Sequence, residues 1–213
     1  MVDIRYVNAE SISPKNLEEA IHLLPDEMIS EIYRFHYHED RRLKMMGRLL
    51  IQRYFKLKHE HFDWKDWSLD KNGKPRLNEK GHFNLSHSGN IVLAAFSEHE
   101  IGVDIEKCND CDMVDITPYL HQKEQEYIRN TTEQKDAFYT VWTRKEAYLK
   151  AKGVGIVEGL NQENCLMPVV ENTKKWYLTS LSLFQNYKVA LCSQVENVAI
   201  QLQEYKLKEF YEL

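Results

Sequence analysis

Two acidic side chains, two positions apart, are the first sign of chemistry in the sequence. They are Asp104 and Glu106 in the stretch IGVDIEK, residues 101–107, whose apolar and β-branched neighbours favour a strand. Because side chains at i and i+2 of a strand point to the same face, both acids share one face. That face either meets water or holds a metal ion, and the stretch by itself leaves both interpretations open.

A third acid lies near a lysine at helical spacing. In WTRKEAYLKAKG, residues 142–153, Glu146 and Lys150 are four positions apart and therefore share a helix face. Such a pair is most often an ion pair on the protein surface. Trp142, one turn before Glu146, and the glycine that ends the predicted helix also allow this face to border a ligand cleft.

Two further groups of residues have chemical potential. Ser86 and His87 in FNLSHSGN are neighbours on a predicted strand, so their side chains point to opposite faces and a serine hydrolase is disfavoured. Lys74 and Arg76 flank a proline in GKPR, which is typical of a turn. Next to a phosphate the same two residues would form a clamp, since lysine supplies a point charge and arginine a bidentate donor.

The overall composition limits the classes of function. The chain has 213 residues, 43% of them hydrophobic and 29% charged, with a net charge of −5. This charge gives no reason to expect nucleic acid or an anionic membrane as a partner. No apolar run is long enough for a bilayer and the N-terminus has no signal-peptide core, so we expect a soluble cytoplasmic protein. The cysteine spacing matches no zinc site and predicts reduced thiols at Cys108, Cys111, Cys165 and Cys192.

Hydrophobic periodicity predicts helices followed by a hairpin in each half of the chain. The elements expected in the first half are a strand at 1–8, helices at 15–24, from Pro25 and at 40–57, and a hairpin around Gly89-Asn90. Those expected in the second half are strands at 101–106 and 197–205, helices at 121–129 and 133–152, and a hairpin of 176–184 and 187–193. We infer an α+β fold of two similar α/β halves, residues 1–100 and 101–213, with a ligand cleft between them.

Four segments, taken in order, resemble the motif series of one enzyme family. GKP, FNLSHSG, GVDIE and WTRKEAYLKAKG, within residues 73–153, closely resemble the motifs of the Sfp-type 4′-phosphopantetheinyl transferases. The stretch 34–50 is similar to the N-terminal region of that family, whereas 156–213 match only in length and strand content. The resemblance implies two α/β halves related by a pseudo-twofold axis, with coenzyme A in the cleft between them.

The resemblance also implies an activity. Family members transfer the 4′-phosphopantetheine arm of coenzyme A to a serine hydroxyl of an apo acyl or peptidyl carrier protein, with Mg²⁺ as cofactor. Adenosine 3′,5′-bisphosphate is released. The carrier serves fatty acid, polyketide or nonribosomal peptide synthesis, and the residues do not distinguish these pathways. A monomer is expected, because two halves of one chain already build the cleft.

Individual roles follow from the positions in the motifs. By resemblance, Asp104, Glu106 and Glu146 bind Mg²⁺, which prefers oxygen ligands. Glu146 is also the expected base, directly or through a metal-bound water, and Lys150 the cation on the pyrophosphate. Contacts with the nucleotide of coenzyme A are expected from the N-terminal half, with His87 near the 3′-phosphate. The full set of expected coenzyme A contacts is Lys44, Arg42, Lys74, Arg76, Ser86, His87 and Lys150.

The chain departs from the family pattern at the nucleotide end. Met28 and Glu31 occupy positions where the family has lysines, and Leu43 takes the place of a phosphate-binding arginine. Lys44 or Arg42 is expected to substitute. The preference for coenzyme A over its dephospho form is therefore open.

Two other functions are compatible with the sequence. One is a non-catalytic carrier-binding module of the same fold, and the other is a Mg²⁺-dependent hydrolase of the coenzyme A pyrophosphate. The complete set of three acids favours the transferase over the module.

Overall fold

The structure, a computed structural model, describes residues 1–58, 62–77, 81–109, 113–155 and 159–212. Its strands are β1 Val2–Asn8, β2 Trp67–Leu69, β3 Pro75–Leu77, β4 His82–Ser88, β5 Ile91–Ser97, β6 Ile101–Lys107, β7 Val169–Glu171, β8 Lys175–Leu181, β9 Tyr187–Ser193 and β10 Ile200–Glu204. Among the described residues, the α-helices are α1 Pro14–Ala20, α2 Asp26–Tyr33, α3 His38–Leu57, α4 Met113–Ile116, α5 Gln122–Arg129 and α6 Gln134–Lys152.

The first sheet has the strand order β10–β1–β5–β4. β1 pairs with β10 in parallel and with β5 antiparallel. In the β4–β5 hairpin Ser88 pairs with Ile91, so Gly89 and Asn90 form the predicted two-residue turn. The long helix α3 packs on one face of this sheet, because its apolar residues recur at helical spacing and bury against β1 and β5.

The second sheet has the order β6–β9–β8–β7, and all its neighbours are antiparallel. Helix α6 covers one face, where Tyr148 and Leu149 pack with Trp176 and Leu178 of β8. The opposite face packs on the first sheet, where Ile4 joins β6 residues in a common core. The layers are therefore helix, sheet, sheet and helix, and the predicted α+β class with two halves is confirmed.

Several details differ from the sequence prediction. β8 ends at Leu181 and β9 begins at Tyr187, so the second hairpin has a longer connection than the predicted Gln185-Asn186 turn. The GKPR stretch, expected to be a turn, leads into β3, which pairs with β2. The division at residue 100 stays a prediction. The last strand, β10, nevertheless completes the sheet of the first half by pairing with β1.

Two further expectations concerned the state of the cysteines and the presence of a membrane-spanning segment. Cys108, Cys165 and Cys192 are free thiols, and Cys111 lies outside the described residues. No helix in the described ranges combines the length and apolar character needed to cross a membrane.

Candidate active site

The edge strands β4 and β6 belong to different sheets and lie side by side through side-chain hydrogen bonds. Alternate side chains of β4 accept hydrogen bonds from alternate backbone N–H groups of β6. The pairs are Val103 N to Asn84 Oδ1 at 2.8 Å, Lys107 N to Ser88 Oγ at 3.0 Å, and Ile105 N to Ser86 Oγ at 3.3 Å. This contact brings the FNLSHS strand next to the strand that carries Asp104 and Glu106.

The same two serines orient the two acids. Ser86 Oγ donates to Asp104 Oδ1 at 2.8 Å, and Ser88 Oγ donates to Glu106 Oε2 at 2.8 Å. The side chain of Trp142 on α6 also hydrogen-bonds to Glu106. Each serine hydroxyl thus donates a hydrogen bond to a carboxylate, while its oxygen accepts a hydrogen bond from a backbone N–H of β6.

Helix α6 crosses β6 at very close range because residue 102 is a glycine. A Cβ atom at Gly102 would overlap the carbonyl oxygen of Ala147 and the backbone nitrogen of Ala151. Any other residue would push the helix away from the strand. The close approach places Glu146 and Lys150 beside Asp104, so side chains from opposite ends of the motif series meet.

Lys150 and Asp104 form the tightest polar contact of the site. Lys150 Nζ lies 2.5 Å from Asp104 Oδ1 and 3.1 Å from Ser86 Oγ. Of the two possibilities that the spacing left open, the structure shows the buried one, since Glu146 is 5% exposed. The second oxygen of Asp104, Oδ2, is buried and has no hydrogen-bond partner.

Burial raises the pKa of all three acids. It raises the pKa of Glu146 to about 7, and the charges of Asp104 and Glu106 add to that rise against the opposing effect of Lys150. The pKa values of Asp104 and Glu106 are raised for the same reason. Although burial opposes it, the carboxylates of Asp104 and Glu146 raise the pKa of Lys150. One ammonium therefore does not balance two buried carboxylates and the half-buried carboxylate of Glu106, and the cluster favours an additional cation.

The three acids line a cleft of about 530 Å³, which basic side chains also border. Lys44, Arg48 and His87 border this cleft. Burial and the charge of Arg48 lower the pKa of Lys44. The side chain of His87 is partly exposed at the cleft. Desolvation by the surrounding protein and the charges of Lys44 and Lys150 nevertheless lower its pKa. The mutual repulsion of Lys44 and Arg48 favours an anionic ligand.

Arg48 is a cleft residue that the sequence analysis missed. Its guanidinium lies 3.7 Å from the ring centroid of Trp67, and its Nη2 lies 3.3 Å from Glu31 Oε2. Arg48 follows Lys44 by four positions on α3, so both lie on one helix face. That spacing is the signal from which Arg48 could have been identified.

The three positions where the chain departs from the family pattern are also explained locally. Met28 and Leu43 are buried in the apolar core of the first half. Glu31 has its carboxylate paired with Arg48 of α3, which borders the cleft.

The structure does not place every predicted contact residue at the cleft. Arg42 Nη2 donates to Asn90 Oδ1 at the hairpin turn, at 3.0 Å. The side chains of Lys74 and Arg76 pair with Glu100, whereas Gly73 and Pro75 from the same loop do line the cleft. The nucleotide contacts predicted for these three side chains stay predictions.

Whether a metal ion fits the acids can be judged from the donor set. Within the described part of the chain, no three His, Cys, Asp or Glu side chains are gathered closely enough to hold a metal ion as they stand. Asp104, Glu106 and Glu146 nevertheless offer the hard carboxylate oxygens that Mg²⁺ prefers, and Asp104 Oδ2 is unpartnered. The donor chemistry fits Mg²⁺, while the predicted shared coordination stays a prediction.

Comparison with known proteins identifies the family. The profile of the 4′-phosphopantetheinyl transferase superfamily matches residues 100–202, and that of the 4′-phosphopantetheinyl transferase N-terminal region matches residues 11–99. The 4′-phosphopantetheinyl transferase gsp of Aneurinibacillus migulanus is 30% identical over 167 residues, covering 72% of this chain and 69% of that protein. The chain therefore belongs to the 4′-phosphopantetheinyl transferase superfamily, and the predicted resemblance is confirmed.

Two further similarities were found. The 4′-phosphopantetheinyl transferase Sfp of Bacillus subtilis is 25% identical over 196 residues, covering 85% of this chain and 87% of that protein. The crystal structure of a Thermotoga maritima holo-acyl-carrier-protein synthase is 17% identical, with a TM-score of 0.31, covering 44% of this chain and 61% of that chain. The structural similarity is too low to support an argument, and the assignment depends on the sequence matches.

Proposed function

We propose that the cleft transfers the 4′-phosphopantetheine arm of coenzyme A to a serine hydroxyl of an apo carrier protein and releases adenosine 3′,5′-bisphosphate. The observation that carries the proposal is the meeting of Asp104, Glu146, Lys150 and Ser86 at one cleft. Membership of the transferase superfamily supports the reaction class. Lys44 and Arg48, which border the same cleft, suit a ligand with several phosphate groups.

Asp104, Glu106 and Glu146 are proposed to hold Mg²⁺. When bound, the ion would neutralise charge on the diphosphate oxygens of coenzyme A. The support for this proposal is the excess of buried carboxylates over the single ammonium of Lys150. Without an added cation, these acids would repel a diphosphate.

Glu146 is proposed to accept the proton of the carrier serine as its oxygen attacks phosphorus. The bond from phosphorus to the adenosine bisphosphate oxygen breaks as the new phosphorus–oxygen bond forms. A pKa of about 7 suits a base at neutral pH. Lys150 is proposed to stabilise the oxygens of the diphosphate, and Ser86 holds Asp104 and Lys150 in place by hydrogen bonds.

The nucleotide end of coenzyme A is proposed to lie against the basic side chains of the cleft. Lys44 and Arg48 supply the positive charge there, His87 borders the same cleft, and Arg48 is proposed to compensate for Met28 and Glu31. The contacts that the resemblance implies for Arg42, Lys74 and Arg76 would require their side chains to leave their present partners. We also propose a monomer, because residues of a single chain line the cleft. The cytoplasmic location expected from the sequence is kept as a separate proposal.

The test is a transfer assay with purified protein, coenzyme A, Mg²⁺ and several apo carrier domains, read as the mass gain of the carrier. The variant Glu146→Gln is expected to slow transfer on the order of a hundredfold or more, because the base is lost. Glu133→Gln is the matched control on the same helix region, since Glu133 is exposed and makes no capping hydrogen bond.

The other functions correspond to distinct outcomes of this assay. Carrier binding without any mass gain would support a non-catalytic module. Release of phosphopantetheine without a carrier would support a hydrolase. Full transfer by Glu146→Gln would contradict the assigned base, and transfer in the presence of a strong chelator would contradict the role of Mg²⁺.

A further inference from the structure

The loop between β2 and β3, residues 70–74, contacts the end of the helix that carries Glu146 and Lys150. Its lysine, Lys74, is 7% exposed. Lys74 Nζ donates to Ala151 O at 3.3 Å, to Ile101 O at 3.2 Å and to Glu100 Oε2 at 3.2 Å. The three N–H bonds of this ammonium are therefore all used inside the protein.

The partners of Lys74 are themselves held in place. Arg76 Nη1 donates to Glu100 Oε1 at 3.0 Å, and Arg76 Nη2 lies 3.7 Å from Asp70 Oδ2. Asp70 Oδ1 accepts the backbone N–H of Lys74 at 3.0 Å. Although burial opposes it, the charges of Lys74 and Arg76 lower the pKa of Glu100, so this carboxylate stays charged beside them.

A second contact joins the same loop to the residue that ends α6. Gly153 terminates α6 in the left-handed conformation with φ of 67°. The side-chain amide of Asn72 donates to the carbonyl oxygen of Gly153. A Cβ atom at Gly153 would lie 3.3 Å from Asp70 Oδ2, which shows how closely the loop and the helix end approach.

The chemistry of a helix end explains why a lysine is suited to this position. The last carbonyl groups of an α-helix lack partners in the helix and carry partial negative charge, so a cation there is stabilising. Lys74 fulfils this role from a distant segment and also binds Ile101 O at the start of β6. One ammonium thus joins the end of α6 to the strand that carries Asp104.

We propose that Lys74 is a positioning residue, which holds the end of α6 against β6 so that Lys150 stays on Asp104, and that its ammonium does not contact the nucleotide. Lys150 directly precedes Ala151, whose carbonyl Lys74 binds. A shift of the helix end would move Lys150 from Asp104 Oδ1. This inference rests on the proposed function for its kinetic consequence, but its structural part does not.

The first variant is Lys74→Met, which keeps the length of the side chain and removes the ammonium. Transfer at saturating coenzyme A is expected to fall roughly tenfold to a hundredfold, because small displacements of catalytic groups have effects of that size. The dissociation constant of adenosine 3′,5′-bisphosphate is expected to change by less than about twofold, since no direct contact is lost. Amide hydrogen exchange of residues 149–154 is expected to accelerate.

The second variant, Glu100→Gln, leaves Lys74 in place and removes its charged partner. If Lys74 positions α6, this change slows transfer and accelerates the same amide exchange, in the direction of Lys74→Met. Glu98→Gln is the matched control, since Glu98 is exposed two residues away in the same turn. This control is expected to behave like the unmodified protein.

Two results would overturn the inference. One is nucleotide binding that weakens tenfold or more in Lys74→Met while amide exchange at 149–154 stays unchanged. The other is Glu100→Gln binding the nucleotide more tightly, which indicates an ammonium released toward a ligand. A protein with no transfer activity at all contradicts the proposed function instead, and the exchange measurement still tests the contact between the loop and the helix.

Discussion

The two long helices of the molecule, α3 and α6, are held in place by different kinds of interaction. Helix α3 presents one apolar face to the first sheet, and Leu50 and Ile51 there are almost fully buried. Helix α6 is buried on nearly all sides, and its buried residues include Arg144, Lys145 and Glu146. A helix with an apolar stripe can be recognised from periodicity, whereas a helix buried all round has no polar face to reveal its orientation.

Two buried cations of α6 each have their own polar partners. Arg144 donates to the carbonyl oxygens of Cys165 at 2.6 Å and Met167 at 2.7 Å. Lys145 Nζ lies 2.9 Å from Glu124 Oε2, with both side chains fully buried. Because a buried charge is tolerated only with such partners, these contacts determine the rotation of α6 and the direction of Glu146.

The comparison predicts that removing a charge from α6 has the largest effect on stability. Lys145→Met leaves the Glu124 carboxylate buried and uncompensated, and we expect a loss of about 3–5 kcal/mol in the free energy of unfolding. Chemical denaturation followed by circular dichroism measures this loss.

The double variant Lys145→Met with Glu124→Met is the control, and it should recover most of the lost stability because neither charge remains. A loss of less than about 1 kcal/mol in the single variant would show that the pair does not hold α6 in place.

The acids of the second half also predict a pH dependence. Glu146, with a pKa of about 7, is mostly protonated at pH 6 and mostly charged at pH 8. Since Mg²⁺ binds the carboxylate, its affinity is expected to rise roughly tenfold between these two pH values. Calorimetric titration of the protein with MgCl₂, without coenzyme A, measures the change. The variant Glu146→Gln should lose this dependence, and equal affinity at both pH values in the unmodified protein would contradict the assignment.

A conservative substitution in the apolar core of the first half should lower the free energy of unfolding only slightly. Ile51 is fully buried in the apolar core, and Ile51→Val removes one methylene group without exposing a charge. We expect a loss of about 0.5–1.5 kcal/mol in the free energy of unfolding, from the same denaturation measurement. A loss as large as that of Lys145→Met would contradict the proposed difference between an apolar core in the first half and buried charged contacts around α6.

Much of the fold could be predicted from the sequence. Periodicity located α3, α5 and α6, and the Gly89-Asn90 turn placed the β4–β5 hairpin correctly. The pairing of β10 with β1 could not be predicted, because it joins segments nearly two hundred residues apart and leaves no local pattern. Leu202 of β10 is exposed, so even its hydrophobic pattern is weak.

The candidate site, too, has features that the sequence predicted and features that it did not. The spacing of Asp104 and Glu106, and of Glu146 and Lys150, indicated which side chains share a face. Whether the second pair lies on the surface or in a buried cluster was left open by that spacing. The structure places both pairs beside one cleft, because the glycine at position 102 lets α6 lie directly on β6.

The sequence by itself determined the family, the class of fold and the faces of strand and helix that carry acids, because these depend on motif order and on local backbone periodicity. Only the tertiary structure decided that Arg48 borders the cleft, that Ser88 orients Glu106, and that Lys74 binds the end of α6. Spacing along a chain sets the direction of a side chain relative to its own backbone. Its burial and its partners depend on segments that meet only when the chain is folded.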